Sequence, residues 1–164
     1  MHDKGLFHRD IKAENIAIDS DGYLKLIDFG LTSLAYRKRD TFCGTPEYMA
    51  PEIVADVSYD WLVDNWAIGI LIYEMIKGTT PFLANTCDEI YDLILQNEVD
   101  WTGLGSAETL IKGLLNPDVA HWLSLKEALK HDFFSDLNMG ELYLREIPAP
   151  YLPKAKVVTK LKRR

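Results

Sequence analysis

Three polar residues of complementary chemistry, Asp10, Lys12 and Asn15, lie in the segment His-Arg-Asp-Ile-Lys-Ala-Glu-Asn at residues 8–15. A carboxylate can accept a proton from an attacking hydroxyl, a lysine can neutralise phosphate charge, and an asparagine oxygen can ligate a hard cation. Thirteen residues after Asn15, Asp28 opens an Asp-Phe-Gly sequence and offers a second carboxylate. Because phosphoryl transfer depends mainly on positioning and charge neutralisation, this set predicts a phosphoryl-transfer site that uses a divalent cation.

The residues between Asn15 and Asp28 have the pattern of a β-hairpin. Residues 16–18 (Ile-Ala-Ile) and 24–27 (Leu-Lys-Leu-Ile) are short strand-like runs, and residues 19–22 between them end in Asp-Gly, a hairpin turn signal. A hairpin here would hold the two cation ligands at the open ends of adjacent strands.

Four motifs, in this order and at these separations, resemble the catalytic machinery of eukaryotic protein kinases. Residues 8–15 resemble the catalytic loop and residues 28–30 the magnesium loop. Residues 41–48 (Thr-Phe-Cys-Gly-Thr-Pro-Glu-Tyr) and 49–52 (Met-Ala-Pro-Glu) resemble the end of an activation segment. Residues 64–69 (Asp-Asn-Trp-Ala-Ile-Gly) resemble the start of the large central helix.

The resemblance extends to one kinase group. Residues 69–75, residues 81–82 and residues 133–134 through 146–151 are similar to the AGC group, which includes the cyclic-nucleotide-dependent and Akt-like kinases. The similarity covers residues 1–153 and implies a Ser/Thr-specific protein kinase. It contains no match to the glycine-rich loop, strand lysine and helix glutamate that hold ATP in the small lobe of a kinase.

The resemblance implies roles for the residues of both loops. Asp10 is the catalytic base, Lys12 contacts the transferring phosphate, and Thr45 hydrogen-bonds both side chains to set the substrate hydroxyl. Asn15 and Asp28 bind magnesium and contribute to nucleotide binding. The implied cofactors are therefore ATP and Mg²⁺.

Regulatory and substrate-binding residues follow from the same resemblance. Thr41 matches an activating phosphorylation site for an upstream kinase, and Arg9 would clamp its phosphate, because a phosphate adds nearly two negative charges that an arginine can pair. The implied partners are protein substrates with basic residues near the Ser or Thr. Five residues are implied in substrate binding, the first two as arginine receptors that could equally be solvated carboxylates: Glu14, Glu74, Phe42, Pro46 and Met49.

Two departures from the family pattern affect the expected site. Ala17 stands where a larger aliphatic residue commonly contacts the adenine, so we expect looser nucleotide packing. Trp122 occupies the place of the arginine that pairs with Glu52. Because removing one partner of a buried ion pair typically costs several kcal/mol, His121 is considered as a replacement cation.

The fold class predicted is mainly α, a helical bundle around a buried central helix with a small β-hairpin at the catalytic edge. Residues 64–77 are apolar on nearly every face, which is typical of a buried helix, and Gly78 ends it. Capping-box patterns at Thr86 and Ser124 open two further helices, and Ser106 precedes another. Pro148, Pro150 and Pro153 then end regular structure.

Composition limits the class of protein. The chain has 164 residues with 48% hydrophobic content, which suits one domain. Its net charge of −7 argues against nucleic-acid binding and favours basic peptide partners. Its two cysteines predict no disulfide framework, and we expect no signal peptide and no membrane span. These features predict a cytoplasmic location, with the nucleus as an alternative.

Two interpretations of the whole chain remain open. The resemblance implies that residues 1–153 form a kinase C-lobe with the start of an AGC extension, and we expect residues 154–164 to form a basic tail. In the first interpretation the chain is a fragment of a working Ser/Thr kinase that lacks the ATP-binding lobe. In the second it is a catalytically inactive C-lobe that binds substrates or acts as a scaffold. Either way, we expect the isolated chain to have little activity.

Overall fold

The computed structural model describes residues 1–32, 45–57, 59, 62–118 and 121–154. It is mostly helical, with one two-stranded antiparallel sheet, as predicted. The α-helices are α1 (Pro51–Val54), α2 (Val63–Lys77), α3 (Cys87–Gln96), α4 (Glu108–Leu114), α5 (Leu125–Ala128) and α6 (Met139–Leu144); the strands are β1 (Ile16–Ile18) and β2 (Leu24–Leu26). Short 3-10 helices form at His2–Lys4, Ala13–Asn15, Pro46–Tyr48, Gly105–Ala107 and Asp132–Phe134.

Helix α2 forms the centre of the core, as its apolar sequence predicts. Trp66 and Ile70 are fully buried, and the helix ends at Gly78, whose φ of 76° is a left-handed conformation that glycine adopts easily. The prediction of burial on every face is wrong for the last turn, where Met75 and Ile76 are 62% and 40% exposed. No helix in the described parts of the chain is long and apolar enough to cross a membrane.

Helices α2 and α4 pack against each other with little space between them. A Cβ atom on Gly69 would lie only 2.8 Å from Leu115 Cδ2 and 3.0 Å from Leu114 Cβ. Because real Cβ atoms do not approach other atoms so closely, the absence of a side chain at Gly69 allows this contact.

The capping-box predictions are confirmed. Thr86 and Glu89 form both reciprocal hydrogen bonds at the start of α3, and Ser124 does the same with Glu127 at the start of α5. The helix predicted to follow Ser106 is also present: a 3-10 turn at residues 105–107 leads directly into α4. Helices α1 and α6 are too short to show a periodic apolar pattern, and the sequence did not predict them.

Trp122 fills the core where the family pattern has an arginine. Its ring lies 5.8 Å from that of Trp66, which stacks on Phe82 at 5.9 Å, and its indole N–H donates to the Asn116 carbonyl. The replacement cation considered above is not seen: the His121 ring is exposed, and its Nδ1 lies 2.8 Å from Asp118 Oδ2. Trp122 thus extends an aromatic stack at the position that the family pattern gives to an arginine.

The predicted hairpin is present. Ile16 pairs with Leu26 and Ile18 with Leu24, so the two strands run antiparallel over three residues each. The turn closes through a hydrogen bond from the Asp19 N–H to the Tyr23 carbonyl at 2.9 Å. Ile27 belongs to the predicted second strand but lies outside β2. Its N–H still forms a hydrogen bond to the catalytic loop, which is described below.

Candidate active site

The Asp10 carboxylate is held on both of its oxygens. Lys12 Nζ lies 3.0 Å from Asp10 Oδ1, and Asn15 Nδ2 donates to Asp10 Oδ2 at 2.8 Å. The same amide nitrogen donates to the Asp10 carbonyl at 2.7 Å. Asn15 is buried, at 6% exposure, while the Asp10 side chain keeps 22% of its surface open to solvent. The carboxylate is thus fixed in orientation and still accessible to a substrate.

The backbone that carries Asp10 is bound to the central helix. Arg9 has a φ of 69°, an unusual conformation for a residue with a side chain. Asp64 on α2 stabilises it: its Oδ1 accepts the Arg9 N–H at 2.8 Å, and its Oδ2 accepts the His8 N–H at 2.8 Å. His2 Nε2 also lies 2.8 Å from Asp64 Oδ2. Asp64 is 2% exposed, and hydrogen bonds to such a buried carboxylate are strong.

His8 links the catalytic loop to the strand that leads to Asp28. Its side chain is buried, and Nε2 donates to the Ile27 carbonyl at 3.2 Å. Its ring meets the edge of Phe29, with the centroids 5.2 Å apart. Because Ile27 and Phe29 are the neighbours of Asp28, this contact fixes the backbone on both sides of the predicted magnesium ligand.

Asp28 lies at the hairpin end beside Asn15. The Ile27 N–H donates to the Asn15 carbonyl at 2.9 Å, so the two predicted cation ligands lie on adjoining chain segments. Asp28 is exposed and has a φ of 59°, and its Oδ1 accepts the Gly30 N–H at 3.1 Å. Asn15 contacts Asp10 directly, and the backbone bond places the Asp28 segment beside Asn15. That the Asp28 carboxylate shares a cation with Asn15 stays a prediction.

The donor set fits Mg²⁺ bound together with phosphate. Within the described ranges, no group of three or more His, Cys, Asp and Glu side chains could hold a metal ion by itself. Asn15 uses its amide nitrogen to bind Asp10, which leaves its amide oxygen free to ligate a cation. Among the described residues, Asp28 accepts a hydrogen bond on Oδ1 and none on Oδ2. Because Mg²⁺ keeps several waters and commonly binds one or two protein ligands plus phosphates, this pair is the expected kind of partial site.

Tyr48 connects the catalytic loop to Glu74. Its hydroxyl accepts the Ala13 N–H at 3.3 Å and donates to Glu74 Oε2. Burial, and after it the hydrogen bond with Glu74, raise the pKa of the Tyr48 phenol well above its usual range. The charge of Glu14 acts in the same direction, so both predicted arginine receptors lie within electrostatic range of one hydroxyl.

Other predicted residues occupy the same region without a demonstrated role. The Thr45 hydroxyl makes no hydrogen bond to Asp10 or Lys12 among the described residues, so that contact stays a prediction. Ala17 is half-buried on β1, opposite Lys25. Pro46 and Met49, which flank the 3-10 turn of Tyr48, are also half-buried.

The proposed phosphate clamp is only partly within the described residues. The Arg9 guanidinium carbon lies 4.4 Å from the centre of the Phe7 ring and 5.9 Å from that of Tyr59. Thr41 and Phe42 lie outside the described residues.

Comparison with known families agrees with this geometry. The family model described as "Protein kinase domain" matches residues 1–134. The chain belongs to the protein kinase family.

Similar proteins narrow the group of kinases. The chain is 40% identical to the RAC serine/threonine-protein kinase of Drosophila melanogaster, over 94% of this chain and 27% of that protein. It is 39% identical to protein kinase C of the same organism, over 95% of this chain and 22% of the relative. It is 40% identical to the cAMP-dependent protein kinase catalytic subunit of Dictyostelium discoideum, over 94% of this chain and 25% of the relative. These relatives confirm the AGC-type resemblance, and the chain spans about a quarter of their length.

Sequence reasoning missed two residues that shape the site of this kinase domain. The sequence identifies Asp64 only as the start of a helix and Tyr48 only as part of a motif. A usable signal was present for Asp64: Asp64 and Asn65 are polar residues at the start of a helix that is otherwise apolar, and a buried charge needs partners. No local pattern pairs Tyr48 with Glu74, which lies 26 residues away.

Proposed function

We propose that this chain forms the large, C-terminal lobe of an AGC-group Ser/Thr kinase and supplies its catalytic base, magnesium ligands and substrate surface. The reaction is transfer of the γ-phosphate of ATP to a Ser or Thr hydroxyl of a protein substrate. One observation carries the proposal: Lys12 and Asn15 hold both oxygens of Asp10, at 3.0 and 2.8 Å, beside the strand end that bears Asp28.

Asp10 would act on the substrate hydroxyl. As the hydroxyl oxygen forms a bond with the γ-phosphorus, its proton passes to the Asp10 carboxylate. The bond between that phosphorus and the bridging oxygen breaks, and its electron pair leaves with ADP. Each Asp10 oxygen already accepts one hydrogen bond and retains a lone pair for the proton.

The negative charge of the phosphates would be bound directly by Lys12, and through Mg²⁺ by Asn15 and Asp28. The Lys12 ammonium lies beside Asp10, where it can also meet the phosphoryl oxygens as negative charge develops. Asn15 and Asp28 would hold Mg²⁺ through oxygen atoms. When bound, the ion would neutralise charge on the phosphates and keep them in line with the hydroxyl.

The carboxylates of Glu14 and Glu74 support a preference for basic substrates. Both act on the phenol of Tyr48, and Tyr48 in turn contacts the catalytic loop through Ala13. A basic side chain bound by these carboxylates would therefore lie close to the loop that carries Asp10. An arginine is well suited to this role because its planar fork matches a carboxylate.

Nucleotide binding by the 164 residues alone should be weak. Ala17 offers little surface to an adenine ring, and phosphate positioning depends on two residues at one edge. Alignment of the reactants lowers the activation barrier by roughly 7–11 kcal/mol in favourable cases. A half-site that leaves the phosphates mobile should lose most of this rate acceleration. We therefore expect no measurable turnover from the isolated chain.

The test joins the chain to the ATP-binding lobe of the Drosophila RAC relative and measures phosphate transfer to a basic Ser/Thr peptide with labelled ATP and Mg²⁺. We expect turnover from the fusion, and a loss of about 10²–10⁴-fold in kcat for Asp10→Asn, because this change removes the base and keeps the shape. Asp136→Asn, an exposed carboxylate outside the site, is the matched control.

The outcomes separate the two interpretations. Transfer that survives Asp10→Asn unchanged would contradict the assigned base. An inactive fusion that still binds the basic peptide would favour the scaffold interpretation, which the replacement of the family arginine by Trp122 supports. Steady turnover by the isolated chain, lost in Asp10→Asn, would overturn the expected need for a second lobe.

A further inference from the structure

Residues 145–152, which we call the strap, pack across the turn of the β-hairpin. The Arg145 guanidinium lies 3.0 Å from Asp19 Oδ2 and 3.6 Å from Asp21 Oδ2. Its carbon lies 4.9 Å from the centre of the Tyr23 ring, and the Tyr23 hydroxyl donates to the Ile147 carbonyl. The contact therefore combines ion pairs, a cation–π contact and a hydrogen bond on one five-residue turn.

Gly22 brings the strap and the turn into direct backbone contact. A Cβ atom there would lie 2.3 Å from the Tyr151 carbonyl oxygen and 2.5 Å from Ala149 Cβ. Gly22 also has a φ of 85°, which disfavours other residues. The turn thus fits the strap through a position that only glycine can fill.

Asp19 connects the strap to the hairpin backbone. Its Oδ1 accepts the N–H groups of Asp21 and Tyr23, each at 3.0 Å, while Oδ2 faces Arg145 and Lys25. Desolvation opposes ionisation, but these hydrogen bonds outweigh it and lower the pKa of Asp19 to about 2. The carboxylate that orders the turn is the one that Arg145 binds.

The hairpin needs support from outside. Each strand has three residues, and an isolated two-stranded hairpin is marginally stable in water. Its open end is bound by the catalytic loop, through Asn15 and His8. Its turn end is bound by the strap, which lies beyond the residues 1–134 that match the kinase domain.

We propose that Arg145 and Tyr23 are positioning residues: through them the strap holds the hairpin so that Asn15 and Asp28 keep the separation that cation binding needs. This inference rests on the proposed function, since it assumes that Asn15 and Asp28 ligate the cation. It assigns the strap a part in the site although none of its residues touches Asn15 or Asp28 in the described contacts.

The experiment compares the full chain with Tyr23→Phe, Arg145→Gln and Arg145→Lys. Tyr23→Phe removes only the hydroxyl. Arg145→Gln removes the charge but keeps a long side chain at residue 145, whose backbone is in the left-handed conformation. Tyr143→Phe, on a residue 87% exposed, and Lys130→Gln are the matched controls. Amide hydrogen exchange at Ala17, Asp19 and Ile27, whose N–H groups point across the hairpin, reports hairpin opening. NMR broadening of Asp28 and Gly30 during Mn²⁺ titration in the presence of excess ATP reports cation binding.

We expect Tyr23→Phe and Arg145→Gln each to speed exchange of the hairpin amides by about two- to tenfold, since one such interaction contributes about that factor. In the same two variants, the Mn²⁺ concentration that gives half of the maximal broadening should rise. Arg145→Lys should partly restore both values. Exchange at Ile70 in α2 should stay unchanged, which shows that the variants are folded.

Two results would overturn the inference while leaving the proposed function intact: unchanged hairpin exchange, or faster exchange with unchanged Mn²⁺ broadening. The second would make the strap purely structural. If the unaltered chain showed no selective broadening at Asp28 and Gly30, the cation assignment itself would fail, and the proposed function with it.

Discussion

Asp64 Oδ1 accepts the backbone N–H of Arg9 at 2.8 Å, although 55 residues separate the two in sequence. Arg9 has a φ of 69°, and such a conformation costs of order 1–3 kcal/mol when the surroundings do not enforce it. The buried carboxylate enforces it by accepting the N–H groups of both Arg9 and His8. The shape of the catalytic loop therefore depends on the central helix.

Replacing Asp64 by Asn should destabilise the chain. An amide offers one acceptor oxygen and turns its NH₂ group toward a buried N–H donor, so one charge-assisted hydrogen bond is lost. We expect the free energy of unfolding to fall by about 1.5–3 kcal/mol in urea titrations. Asp136→Asn should change it by less than about 0.5 kcal/mol. Equal stability of the two variants would contradict the role of Asp64.

Tyr48 should make stability depend on alkaline pH. Burial and the Glu74 hydrogen bond raise its folded pKa above the ordinary value of 10.0, so its contribution is complete below that pH and is lost above it. The stability difference between the unaltered chain and Tyr48→Phe should be constant from pH 7 to 9 and shrink beyond about pH 10. Urea titrations at each pH measure it, and a difference that stays constant up to pH 11.5 would be inconsistent with a raised pKa.

Asp100 should make stability depend on acidic pH. Hydrogen bonds from the Thr102 hydroxyl and N–H, followed by that of Lys77, lower its pKa from 3.8 to about 2. A lowered folded pKa gives stability that is present above pH 3.8 and is lost as the pH falls toward 2. Urea midpoints of the unaltered chain and Asp100→Asn should therefore differ at pH 6 and converge near pH 2. Thr102→Val should reduce the difference, and a pH-independent difference would refute the assignment.

Trp122 should be a major contributor to core stability. It is 8% exposed and packs on Trp66, so Trp122→Ala should lower the free energy of unfolding by about 3–5 kcal/mol. Leu129→Ala, at a side chain 55% exposed, should cost less than about 1 kcal/mol. Thermal and urea unfolding measure both, and a cost for Trp122→Ala as small as that for Leu129→Ala would show that the stack is dispensable.

Local signals allowed correct prediction of several elements. The capping boxes at Thr86 and Ser124 are complete within four residues, and the Asp-Gly turn joins strands that are neighbours in sequence. Helix α2 was predicted because its apolar run and terminal glycine lie in one continuous segment. Its exposed last turn was not predicted, because apolar composition does not show where the surrounding core ends.

The sequence by itself determined the chemistry of the catalytic loop and the hairpin that brings Asn15 close to Asp28, because both depend on residues within about a dozen positions of each other. Only the tertiary structure decided which partners hold them: Asp64 beneath the loop, Tyr48 beside Glu74, and the strap across the turn. These contacts join segments from 26 to 124 residues apart. A hydrogen bond between such segments forms only after the core has packed, so its partners are set by the shape of the folded chain rather than by any local pattern.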